Sequence, residues 1–230
     1  MFGFEQFVRI NQWMTGLWRL VGLNLLWIAV TVLGLGVLGV GPASYALAKY
    51  LDRWFRHGQT PPVTRTFLRY ALELRWRPVL VAGVLMGAGA VILVNLMSLG
   101  DWYLRVANLL ALAVLWIIAA YVFTVLAALD VQGLRAQLVS ALLLGVGSLH
   151  WTILATTASV VSLALMLRFA VPLLALFGVA LPAALFAVVC TRILRDLQDP
   201  QRTDALPAGR TDASSHTLRK GIPALSLAGT

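Results

Sequence analysis

VGLNLLWIAVTVLGLGVLGV, residues 21–40, runs for twenty positions without one ionisable side chain. At 1.5 Å of helical rise per residue the stretch spans about 30 Å, the thickness of a bilayer's hydrocarbon core. Its reading as a membrane-crossing helix decides the class of the whole chain. Of the 230 residues, 60% are hydrophobic and 12% charged, against about a quarter charged in soluble domains. Mean hydropathy is +0.86. Short loops and two ends take up what the apolar runs leave, so no separate soluble catalytic domain is expected.

Similar runs recur along the chain. Val79 to Leu99, Val106 to Leu129, Ser148 to Leu167 and Val171 to Thr191 each read as one crossing, the last two separated by Arg168 and Pro172. A break is expected at Gly39, Gly41 and Pro42, with Pro42 opening the shorter segment PASYALAKYLDRWFRHG as a second crossing from which Lys49 snorkels. Residues before Leu20 hold Trp13 and Trp18 and read as an interfacial helix without signal-peptide order. The predicted fold is all-α: a polytopic bundle of about six crossings, with five as the alternative. An amphipathic helix joins it at the inner surface, where Arg65, Arg69 and Glu73 recur every four residues. Residues 1–195 form the membrane domain; 196–230 read as a polar, disordered cytoplasmic tail.

Eighteen Lys and Arg against nine Asp and Glu give a net charge of +9. The basic residues flank apolar runs, so headgroups and the positive-inside rule explain them and nucleic acid is not an expected partner. Six crossings place both ends in the cytoplasm, with Arg105 and Arg168 outside and Lys49 within the second span. The expected address is the bacterial cytoplasmic membrane. Arg53, Arg56, Arg65, Arg69, Arg75 and Arg77 then form a basic inner surface for lipid or a protein partner.

Signals for chemistry are sparse. Gly34, Gly36 and Gly39 spell GxGxxG inside an apolar run, where close helix packing explains them better than a dinucleotide, and GxxxxGK[ST] is absent. His57, His150 and His216 are scattered, and the single Cys190 cannot form an intramolecular disulfide. No cofactor, metal or catalytic residue is expected. Gly83 and Gly87 have the GxxxG spacing of helix contacts, more often within one molecule than between copies, though a homo-oligomer fits it too. Asn24 and Asn95 are the strongest intramembrane polar side chains. Interhelical hydrogen bonding is their plain reading, and a path for a small neutral solute is the alternative.

The NLLW run at Asn24 to Trp27, the glycines and proline at Gly39, Gly41 and Pro42, the YALAKYL helix from Tyr45 and the aromatic, basic segment carrying Phe67 resemble the YesL-like family of bacterial membrane proteins. The resemblance covers roughly residues 4–100. The linker GQTPP stands where the family carries a glycine and an acidic turn. Membership implies no settled activity, but such proteins accompany carbohydrate uptake systems of the ATP-binding-cassette type. The resemblance therefore implies a non-catalytic accessory or scaffold beside importer permease or ATPase subunits. From it only Asn24, Trp27, Gly41 and Pro42 carry over, as packing and break positions.

Overall fold

A computed structural model describes residues 4–74, 76–98, 100–128 and 133–198. All regular structure among them is helical: α1 (Phe4–Leu33), α2 (Val37–His57), α3 (Val63–Glu73), α4 (Arg77–Ser98), α5 (Trp102–Ala128), α6 (Leu134–Gly147), α7 (Leu149–Phe169), α8 (Val171–Phe177) and α9 (Ala180–Gln198). Contacts divide the chain into a large unit, Met1–Ile193, and a short one from Leu194, of which the described part is the end of α9. Of the expected tail, 196–230, residues 196–198 belong to α9 and the remainder lies outside the described residues.

Four stretches are long and apolar enough to cross a membrane: Trp13–Leu33, Arg77–Ser98, Trp102–Ala128 and Leu149–Phe169. The pair α8 and α9, bent by 47°, makes a fifth if taken as one broken span. The expectation of six counted the segment from Pro42 as a crossing. That helix instead carries Lys49, Asp52, Arg53 and Arg56 and is the hub of the bundle, packed against α1, α3, α4 and α5. Its charges are accommodated by neighbouring helices, which a hydropathy reading cannot register.

The break after the first crossing also falls earlier than expected. Gly36 donates its N–H to the Thr31 carbonyl and Leu35 to that of Val32, the two bonds of a Schellman cap. Leu35 takes the left-handed conformation at φ 54° and Gly36 follows at φ 79°. Thus Gly34 to Gly36 turn the chain, and Gly41 and Pro42 lie inside α2. Gly41 does pack closely: a Cβ there would fall on the backbone of Pro78, so its bare Cα sets the crossing of α2 and α4.

From that crossing α2 and α4 diverge in reach. Val40 shares a cavity wall with Ala82, Leu85 and Met86, whereas Gly89 of α4 meets Leu115 of α5. Beyond Gly89, side chains such as Val91, Val94 and Met97 are exposed, as are Trp102, Tyr103 and Leu110 on α5. The α1–α2 hairpin therefore covers only part of the length of α4 and α5.

The buried core gathers Leu23 of α1, Leu47, Tyr50 and Leu51 of α2, Phe67 and Tyr70 of α3, and Ala180, Ala184 and Ala187 of α9. Elsewhere, Thr152 joins the α6–α7 break to α5: its hydroxyl reaches the Gly145 carbonyl at 3.0 Å and the Tyr121 hydroxyl at 2.9 Å. These bonds satisfy the carbonyl that the helix end leaves open.

Candidate functional site

The helix α3 explains why basic side chains assemble beside α2. Thr66, Phe67, Tyr70 and Ala71 are buried, while Arg65, Leu68, Arg69, Leu72 and Glu73 are exposed. This 3.6-residue periodicity lays the apolar face on the core and leaves charge along the flank. The entry into α3 is fixed by the Tyr50 hydroxyl, which donates to the Pro61 carbonyl at 2.9 Å. Before it, Gly58 at φ 64° closes α2 in a left-handed conformation, its N–H on the Trp54 carbonyl.

Of the six arginines expected to share one inner surface, the structure joins only some. Arg53 and Arg69 meet over the same aromatic ring, with each guanidinium carbon 5.5 Å from the Tyr70 centroid. Arg56 turns instead to buried Asp52 one helical turn away, at 3.0 Å. Arg65 and Arg77 are exposed, and Arg75 lies outside the described residues.

Lys49 completes the cluster. Its ammonium lies 4.9 Å from the Tyr70 centroid, bonds the Tyr45 hydroxyl at 3.1 Å and contacts both Glu73 carboxylate oxygens at 2.6 Å. Burial disfavours its charged form, yet the Glu73 and Tyr45 bonds outweigh that effect and hold Lys49 above the ordinary lysine value. The expected snorkelling is thus replaced by a short ion pair. Sequence reasoning missed Lys49, Tyr70 and Glu73 as a group. The available signal was that Lys49 and Arg53, like Arg69 and Glu73, stand one helical turn apart.

Asn24 is buried at 1% exposure. Its amide donates to the Ala175 carbonyl at 2.7 Å, and its carbonyl accepts the backbone N–H groups of Val179 and Ala180, both at 2.9 Å. One side chain thereby serves the end of α8 and the start of α9, where the helical ladder is interrupted. Trp27 bonds the Ser44 hydroxyl at 3.2 Å. Asn95 is partly buried on α4, and neither asparagine lines the cavities of about 310 and 530 Å³ beside Trp116. Those cavities are walled mainly by apolar side chains, with Ser44 and Thr124 on the first and Thr152, Thr156 and Thr157 on the second. Gly83 and Gly87 face outward with nothing within 4 Å of an added Cβ. His57 and His150 are exposed, and among the described residues no three His, Cys, Asp or Glu side chains gather as a metal site.

The region that builds this cluster is also the region with relatives. Residues 20–96 match the family described as "Protein of unknown function, DUF624". The uncharacterized protein YteU of Bacillus subtilis (strain 168) is 34% identical over 89 residues, 39% of either chain. The uncharacterized protein YesL of the same organism is 31% identical over 84 residues, 36% of this chain and 40% of that protein. The chain thus spans about two-fifths of the length of the curated relatives it matches. No solved structure matches it. The matched stretch, residues 20–96, includes the NLLW and YALAKYL segments that carry the resemblance.

Proposed function

We propose that this membrane chain is a non-catalytic accessory or scaffold component of a carbohydrate uptake system of the ATP-binding-cassette type. The observation that carries the reading is the α2–α3 hub, which leaves Arg65, Arg69 and Leu72 exposed on a helix anchored by Phe67 and Tyr70. A basic and apolar flank of this kind suits contact with a membrane-associated partner. Asn24, the most buried of the intramembrane asparagines, makes three hydrogen bonds to backbone groups, which argues against a solute path through it.

In this reading the hub faces the cytoplasm of a bacterial cytoplasmic membrane. The basic side chains of α2, α3 and the start of α4 then follow the positive-inside rule, with Arg105 and Arg168 on the far side. Gentle copurification from native membranes should enrich importer permease or ATPase subunits. Their absence, together with solute flux from this chain alone in liposomes, would replace the accessory role by transport.

A further inference from the structure

We propose that the junction of α2 and α3 is a binding site for one anionic membrane phospholipid, its phosphate held by Arg53, Arg69 and Lys49 around Tyr70. The acyl chain lies in the adjoining groove. This assignment deepens the cytoplasmic-surface reading above and shares its orientation.

The first observation is a charge imbalance in a confined place. Three cations surround one ring at 4.9 to 5.5 Å, and the Glu73 carboxylate pairs with Lys49 alone. Arg53 and Arg69 make no ion pair among the described residues. Guanidinium groups offer the planar donor forks that suit phosphate oxygens. Tyr70 itself is 2% exposed, and its hydroxyl has no hydrogen-bond partner among the described residues.

A second, independent observation concerns the neighbouring flank of α3. Leu68, Leu72 and Trp76 line an open groove of about 750 Å³, whose other wall is Val30, Leu33 and Leu38 of the α1–α2 turn. Successive helical residues are about 100° apart, so Leu68 beside Arg69 and Leu72 beside Glu73 put an apolar flank next to a charged one. The groove also touches Gly34, Gly39 and Pro42 of the hairpin and Val79 of α4. An inorganic phosphate would use the cations and leave the groove empty. A phospholipid satisfies both.

The test uses the full chain in phosphatidylcholine nanodiscs, with phosphatidylglycerol titrated in and bound lipid counted by native mass spectrometry. The expected result is one tightly held phosphatidylglycerol, weakened on the order of thirtyfold in Arg53→Gln/Arg69→Gln, taking about fivefold for each cation lost from contact with the bound phosphate. Arg53→Lys/Arg69→Lys should retain most of the binding, which separates lost charge from lost fold. Arg65→Gln/Arg77→Gln should change it less than fivefold. Equal losses in the two glutamine pairs, or no retained lipid, would overturn the site. Displacement of the lipid by millimolar inorganic phosphate would assign the cations to a free anion and overturn the lipid. Because lipid retention is read without any importer subunit, this site and the accessory role can fail separately.

Discussion

The side-chain carbonyl of Asn24 accepts the backbone N–H of Ala180 at 2.9 Å, across 156 positions of sequence. With Val179 and Ala175 it gives one α1 side chain three backbone partners at the α8–α9 break. In a bilayer such interruptions persist only where protein groups replace the missing ladder bonds. Asn24→Leu therefore strands three groups and should cost about 3 kcal/mol of stability, given 1–3 kcal/mol per unsatisfied buried group and partial relaxation. Asn24→Asp keeps the acceptor and should lose less. Unfolding in detergent followed by circular dichroism measures both; a loss below about 0.5 kcal/mol for the leucine variant would contradict the role.

Glycine substitutions separate contact from mere spacing. Gly41→Ala drives a methyl group into the Pro78 backbone and must spread α2 from α4, with an expected cost of about 2–3 kcal/mol. Gly83→Ala and Gly87→Ala meet open space and should leave the monomer unharmed or firmer by up to about 1 kcal/mol through helix propensity. Thermal scans of the three variants in one detergent compare them directly. Equal destabilisation at all three positions would refute the packing described for α2 and α4.

The Lys49–Glu73 pair should contribute modestly to stability and more to local potential. The Glu73 side chain is 43% exposed, so screening limits the pair to about 1 kcal/mol or less. Glu73→Gln is expected to lower stability by no more than that while tightening phosphatidylglycerol retention severalfold, since the three cations lose their carboxylate. The pH sign follows from Lys49, whose folded-state pKa is raised. The pair's contribution is complete below the ordinary lysine value and disappears as pH climbs through the folded one. The stability difference between wild type and Glu73→Gln, measured by urea titration, should be flat through neutral pH and shrink only in strong alkali.

Orientation can be read with thiol labelling. Cys190 is 1% exposed and should give little background in the folded protein. Gln59→Cys, in the linker before α3, should react with an impermeant maleimide only after the cells are opened. Asp101→Cys, between α4 and α5, should react in intact cells. The reverse pattern would invert the proposed arrangement and remove the basic cluster from the cytoplasm.

The crossings α4, α5 and α7 were legible because their evidence is local. The runs Val79 to Leu99, Val106 to Leu129 and Ser148 to Leu167 stand beside observed helices Arg77–Ser98, Trp102–Ala128 and Leu149–Phe169. Uncharged residues in number suffice there, whatever the neighbours. The segment from Pro42 is read as a crossing from its apolar first half, whereas its burial comes from four partner helices, which hydropathy does not register. A glycine's neighbour at Pro78, or an asparagine's at Ala180, is likewise set by tertiary contact. The candidate site was half legible: Arg53 and Arg69 stood out by charge, whereas Glu73 joins Lys49 from 24 positions away on another helix.

The α1–α2 turn at Gly34 to Gly36 sends the chain back along the path by which it arrived. The side of the membrane assigned to the amino end therefore hangs on this hairpin alone: counting Trp13–Leu33 without α2 puts the start of α1 and the end of α2 on opposite faces of the bilayer, whereas counting both leaves them on the same one.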